Sequence, residues 1–225
     1  MTQNEAKRMA ARRALEFVED GMSLGLGSGT TSAIFIEELG ERVKQGLRVR
    51  GIATSIFSQK LAESLNIPIT NFEDCPVLDL AIDGADEIGP GLALIKGGGG
   101  ALLREKIVES AARRFIVVAD STKLVETLGR FPLPVEVVQM ALPIVTRRLE
   151  ALGLNPHLRH HPDGSLYITD ENNVILDCAS GSISDPAKTA AEIRAIVGVV
   201  EHGLFLNMAS LALIGGEGGV REVRP

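Results

Sequence analysis

Short apolar runs alternate with helical segments along the first half of this chain, and that alternation limits the fold more than any other feature. MSLGLG precedes AIFIEELGERVKQ, LRVRGIAT precedes SQKLAESLN, VLDLAID opens onto a loop, and GALLREKIVESAARR leads into FIVVAD. Runs that are apolar throughout, rather than at every second residue, predict strands buried on both faces, and intervening helices predict parallel pairing. The expected fold class is therefore α/β, a mostly parallel sheet with helices on both faces. In the helix after the first strand, Ile34, Leu39 and Val43 share a side. At the N-terminus, Ala6, Met9, Ala10, Ala14, Phe17 and Val18 recur at helical spacing, and Glu5 and Glu16 interrupt the basic residues, so a core-packing first helix is expected rather than a transit peptide.

From Pro132 the texture changes. PLPVEVV, a helix at IVTRRLEALG, three strand-like segments HLRHH, SLYIT and NVILDC, and a helix near AKTAAEIRAIV predict a small α+β domain with an antiparallel sheet. Two strands in SLALIGGEGGVREV would return to the first domain. The division expected is residues 1–130 with 207–225 for the larger domain and 131–206 for the smaller. A chain of 225 residues that is 45% hydrophobic can bury a substantial core. Its net charge of −6 and pI near 5.3 argue against a basic nucleic-acid surface, though not against a local phosphate site. No apolar run approaches the ~20 residues that span a bilayer, so no membrane segment and a cytoplasmic location are expected. Cys75 and Cys178 have no metal-ligand spacing and are expected as free thiols.

Ligands of parallel sheets bind beyond the carboxyl ends of the strands, which directs attention to the residues just after each apolar run. GLGSGTT offers glycine-freed N–H groups, a helix start and the hydroxyls of Ser28, Thr30 and Thr31, a design suited to phosphate or equally to an ordinary cap and turn. DGADEI presents Asp83, Asp86 and Glu87, of which Glu87 is expected in a cap or solvated turn. In IKGGGGALLREK, Lys96 enters the cleft if Ile95 ends at the same sheet edge. Gly97, Gly98 and Gly99 would let the backbone approach a polar ligand, and Glu105 would project from the next helix; taken singly, Lys96 reads rather as an exposed cation and Glu105 as half of an exposed helix ion pair. Lys123 in VVADSTKLV is a second phosphate contact or a surface lysine.

Taken together and in order, GLGSGTT, the ATS at Ala53–Ser55, DGADEI, KGGGGALLREK, ADSTK, FPLPVEV and TDENNVILD resemble ribose-5-phosphate isomerases of the A type over nearly the whole chain. The resemblance implies a Rossmann-like domain with a small ferredoxin-like lobe, assembled as a homodimer or homotetramer. It implies interconversion of ribose 5-phosphate and ribulose 5-phosphate in the non-oxidative pentose phosphate pathway, without a cofactor or metal. Residue by residue it implies Glu105 as the general base, Asp83 and Lys96 as its catalytic partners and Asp86 as a substrate-facing acid. Ser28, Gly29, Thr30 and Thr31 would line the phosphate site with Lys123 and Lys7. Asp83 is expected to assist ring opening and Lys96 to steady the enediolate. Ser28 and Thr30 exchange the hydroxyl types many relatives carry, and Ser210 stands where an acid is more usual. His157, His160 and His161 are expected as solvated residues of the second lobe, away from the cleft.

The scaffold also resembles that of amino-sugar phosphate deaminases, lactonases, acyl-CoA transferases and sugar-responsive regulators. A deaminase or lactonase would want a histidine near the acidic turn, whereas none occurs before His157.

Overall fold

The computed structural model describes all 225 residues. Its first half runs α1 (Gln3–Leu15), β1 (Ser23–Leu26), α2 (Gly29–Lys44), β2 (Arg50–Ala53), α3 (Ile56–Ser64), β3 (Leu80–Asp83), β4 (Glu87–Ile88), β5 (Leu94–Ile95), α4 (Leu102–Ser110) and β6 (Phe115–Asp120). The second half runs β7 (Leu133–Val137), α5 (Leu142–Ala151), β8 (Pro156–Leu158), β9 (Val174–Cys178), α6 (Pro186–Arg194), β10 (Val199–His202), β11 (Leu204–Phe205), β12 (Leu211–Gly216) and β13 (Gly219–Val223).

Six strands form the main sheet in the order β13-β12-β6-β3-β1-β2, parallel throughout except for the final β12–β13 hairpin. All six residues of β6 are buried, as a central strand covered on both faces requires. Helix α1 starts on a reciprocal cap: the Glu5 N–H donates to Thr2 Oγ1 at 3.2 Å, and the Thr2 N–H donates to Glu5 Oε2 at 2.6 Å. Caps of this kind are worth about 1 kcal/mol. Ala10, Ala14, Phe35, Ile36 and Leu39 of α1 and α2 pack one face of the sheet against Leu24, Ile82, Ile116 and Leu213. Ile34 and Val43 lie at the edge of this core, partly buried.

The opposite face is covered differently from the expectation of helices alone. A three-stranded antiparallel sheet, β11-β5-β4, brings Ile88, Leu94 and Phe205 onto Ala81, Val117 and Ala212, and α4 covers the remainder through Val108. A separate four-stranded antiparallel sheet, β10-β7-β9-β8, packs with α5 and α6 around Val135, Val145, Leu176 and Ile193. Of the three strand-like segments expected there, SLYIT makes only a single bridge, Leu166 opposite His160. A turn at Asp163–Ser165, where Asp163 Oδ1 accepts from the Ser165 N–H at 2.9 Å, joins the two arms of this bridge, and the Tyr167 N–H donates to the Arg159 carbonyl at 3.2 Å.

Candidate active site

Neighbouring strands β6, β3 and β1 end on the same edge, so the segments after them meet in one cleft. Fourteen residues line it and only one of these is hydrophobic, which suits a strongly polar ligand. At one end, Ser28 is the N-cap of α2 but makes no capping bond; its hydroxyl lies 2.6 Å from Thr54 Oγ1 instead. The N–H groups of the first turn of α2 are therefore open to an anion, favoured further by the helix dipole. Gly29, Thr30 and Thr31 line this end, and Lys7 from α1 donates to Thr30 Oγ1 at 3.0 Å. Lys123 enters from the turn after β6.

At the other end lies a buried charge cluster. Lys96 Nζ donates to the Gly84 carbonyl at 2.6 Å and stands 2.9 Å from Asp83 Oδ2, 3.1 Å from Glu109 Oε1 and 3.7 Å from Glu105 Oε2. None of these four side chains is more than 7% exposed. The other oxygen of Asp83 accepts three hydrogen bonds, from the Ser28 N–H at 2.9 Å, Ser32 Oγ at 2.7 Å and the Gly84 N–H at 2.7 Å. Burial pulls the Lys96 ammonium down, but the three carboxyl groups outweigh it and hold it above its ordinary range. Burial pushes Glu105 up to about 8; Lys96 opposes that rise, and Asp83 and Asp86 add to it. Asp86 is also raised by burial, against the Gly98 N–H that donates to its Oδ2 at 2.7 Å and the cations Lys96, Lys123 and Arg159.

The glycine stretch joins the two ends. Gly97 and Gly100 hold φ of 100° and 84°, left-handed conformations that side chains disfavour. Arg159, paired through its Nε to Asp177 at 2.8 Å, donates from Nη1 to the carbonyls of Gly97 at 3.0 Å and Gly98 at 3.2 Å. Tyr167 donates to the Gly99 carbonyl at 3.0 Å. Helix α4, which carries Glu105, is seated by Lys106, whose ammonium donates to Glu201 Oε1 at 2.8 Å and to the carbonyls of His202 and Leu204 at 2.6 and 2.9 Å.

The structure thus brings Lys7, Ser28, Gly29, Thr30, Thr31, Asp86, Lys96, Gly97, Gly98, Gly99, Glu105 and Lys123 into one cleft. Asp83 sits behind them, 1% exposed, and is not part of the lining. Two expectations need correction. Ile95 ends a strand of the small antiparallel sheet rather than of the main one, so Lys96 enters from the covering layer. Glu87 is fully buried and accepts from the N–H groups of Gly129 at 2.7 Å and Phe131 at 2.6 Å, tying down the chain that leads into β7 rather than a solvated turn. His157, His160 and His161 are exposed and outside the cleft lining, as expected, while Arg159 and Tyr167 of the same segment reach the glycine stretch.

Four contributors escaped the sequence reading: Ser32, Glu109, Arg159 and Tyr167. Glu109 alone carried a local signal, because it lies one helical turn beyond Glu105 and shares its face.

An α/β protein in which an open anion loop faces a buried lysine–carboxylate cluster belongs to the class of enzymes that move protons on phosphorylated substrates. Similarity to known proteins narrows this class. Residues 50–219 match the family described as Ribose 5-phosphate isomerase A (phosphoriboisomerase A), and the chain belongs to that family. The ribose-5-phosphate isomerase A of Roseiflexus castenholzii is 54% identical over 220 residues, 96% of this chain and 94% of that one. Among solved structures, a D-ribose-5-phosphate isomerase in complex with phospho-erythronic acid matches all of both chains at 39% identity with a TM-score of 0.97. The ribose 5-phosphate isomerase A of Methanocaldococcus jannaschii also matches all of both chains at 39% identity, with a TM-score of 0.95.

Proposed function

We infer that this chain interconverts D-ribose 5-phosphate and D-ribulose 5-phosphate through an enediolate. The observation that carries the reading is the pairing of Glu105 with Lys96 at the floor of a cleft whose far end is the uncapped start of α2. The phosphate sits on the N–H groups of that helix, between Lys7 and Lys123, and so fixes the distance from the anchor to the reacting carbons. Glu105 takes the proton from carbon 2 of the open aldose, the electron pair forms the bond between carbons 1 and 2, and the carbonyl oxygen becomes an oxyanion. Return of the proton to carbon 1, with transfer of the proton on oxygen 2 to the oxyanion at oxygen 1, gives the ketose. A positioned base contributes about 10²–10⁴ in rate, and a well-aimed cation such as Lys96 contributes roughly 3 kcal/mol to the enediolate.

Ring opening falls to Asp86 in this reading, because Asp86 lines the cleft whereas both oxygens of Asp83 are turned to the protein. Asp83 then acts by holding Lys96. No histidine lines the cleft, which disfavours the deaminase and lactonase readings. We extend the proposal to self-association as a dimer or tetramer, supported by apolar exposure on the second lobe, where Met140 is 87% and Val197 89% exposed.

Incubation with ribose 5-phosphate should yield ribulose 5-phosphate. Glu105→Gln should stop exchange of the carbon-bound proton with solvent deuterium and still bind phospho-erythronic acid, whose carboxylate has the planar two-oxygen form of an enediolate. Exchange that persists in Glu105→Gln would sink the assignment of the base.

A further inference from the structure

The cluster around Lys96 contains one more carboxyl group than the isomerase reading uses. That reading needs Glu105 as base, Lys96 as cation and Asp83 to hold the cation; Glu109 has no part in it. Yet the Glu109 side chain is 0% exposed, stands 3.1 Å from Lys96 Nζ, and neither of its oxygens has a well-formed hydrogen bond. Asp83 Oδ2 is likewise buried without one.

We propose that Glu109 is a positioning residue of this site, the permanently neutral member of the cluster, which donates its carboxyl proton to Asp83, steadies Lys96 and leaves Glu105 as the group that exchanges protons.

Charge counting supports this. Were all four groups ionised, one positive charge would face three negative ones among side chains at most 7% exposed, an arrangement whose desolvation and like-charge repulsion far exceed what one ammonium offsets. One carboxyl must keep a proton. Asp83 is a poor holder at Oδ1, which accepts three hydrogen bonds. Glu105 lines the cleft and is available to substrate, whereas Glu109 does not line it. Burial is the largest influence on Glu109 and raises it well above its ordinary value; Lys96 opposes this, while the charges of Asp83 and Glu105 add to the rise. A proton on Glu109 directed at Asp83 gives a hydrogen bond to both groups, which otherwise have at these oxygens only the Lys96 ammonium.

Asp86 faces Lys96 and Glu105 from the turn after β3, and the other charged groups around the cluster are engaged by partners of their own. Lys96 comes directly after β5, Asp83 ends β3, and Glu105 and Lys106 share α4 with Glu109. On the strands packed against α4, Glu201 of β10 is engaged by Lys106 and by Arg194 of α6. His202 of β10 is driven down to about 3 by burial and is uncharged, and Glu136 of β7 accepts from Thr169 and Asn173. Lys106 itself is spent on Glu201 and two carbonyls.

The kinetic arm of the test rests on the isomerase reading; a spectroscopic arm does not. Glutamine reproduces a neutral carboxyl group, so Glu109→Gln should lower kcat less than about tenfold and leave the acid limb of the kcat/KM profile in place. Glu109→Ala strips Lys96 and Asp83 of a partner and should lower kcat by about 10–100-fold with KM changed less than about threefold. An acid limb displaced by a unit or more towards low pH in Glu109→Gln would mean that Glu109 is ionised in the parent and would overturn the proposal, as would a Glu109→Ala variant indistinguishable from the parent. Independently of turnover, Glu105→Gln should retain an infrared band of a protonated carboxyl group at neutral pH that is missing when Glu109→Gln is added. Identical spectra for these two variants would overturn the proposal even in a chain that fails to isomerise ribose 5-phosphate, an outcome that by itself would refute only the isomerase reading.

Discussion

Glu105 is a carboxyl group that the fold makes reluctant to ionise, and that reluctance has a thermodynamic sign. Its value rises from an ordinary 4.5 to about 8 on folding. A group raised in this way adds stability while it keeps its proton; the contribution is complete below the unfolded value and is lost as pH climbs through the folded one. Glutamine at the same place never has to ionise. The Tm of Glu105→Gln should therefore gain on that of the parent as pH rises from the ordinary 4.5 to about 8. The slope should be at most roughly 1.4 kcal/mol per pH unit, with about 2–4 °C for each kcal/mol. A Tm difference that is flat with pH would mean that Glu105 is ionised across the range.

At the scale of elements, the glycine stretch is ordered by a partner far along the chain. Arg159 holds the carbonyls of Gly97 and Gly98, and Tyr167 that of Gly99, so order in the loop depends on the segment after β8. Arg159→Ala releases two carbonyls and leaves Asp177 without its guanidinium. Hydrogen exchange at residues 97–100 should become faster, and kcat/KM should fall by about tenfold; unchanged exchange would show that the loop is stiff by itself. The same contact explains how much of the site was legible in the sequence. Strands such as FIVVAD and the acids and glycines after them obey local rules of period and turn chemistry, and the cleft residues that follow strands were readable from them, whereas Lys7 on α1 came only from the family resemblance. Arg159 and Tyr167 obeyed no local rule, because their role depends on a fold that returns them to a loop some 60 residues earlier. Glu87 was misread for the same reason: its partners, Gly129 and Phe131, lie about 40 residues on. SLYIT had the composition of a strand but pairs only through the short turn that precedes it, in a single bridge.

Over the whole molecule, a parallel sheet supplies the strand ends, a small antiparallel layer supplies Lys96, and the second lobe supplies the clamp, so the cleft belongs to all three. Apolar side chains left open beside α5 and before β10, Ile144 at 59%, Met140 at 87% and Val197 at 89% exposure, are expected to be covered by further copies of the chain. Light scattering should give twice or four times the 23.9 kDa chain mass, and Met140→Glu with Val197→Glu should shift it towards the single mass; an unshifted mass would place the interface elsewhere. One carboxylate has a wider consequence. The two oxygens of Asp83 are divided between the loop that begins α2 and the lysine beside the base. In the proposed reaction, the grip on one end of the sugar and the reactivity at the other would be set by this one carboxylate, a ruler a few ångströms long. Such a site would gauge its substrate by length, and a sugar phosphate one carbon longer or shorter is expected to hold its anchor while presenting the wrong carbon to Glu105.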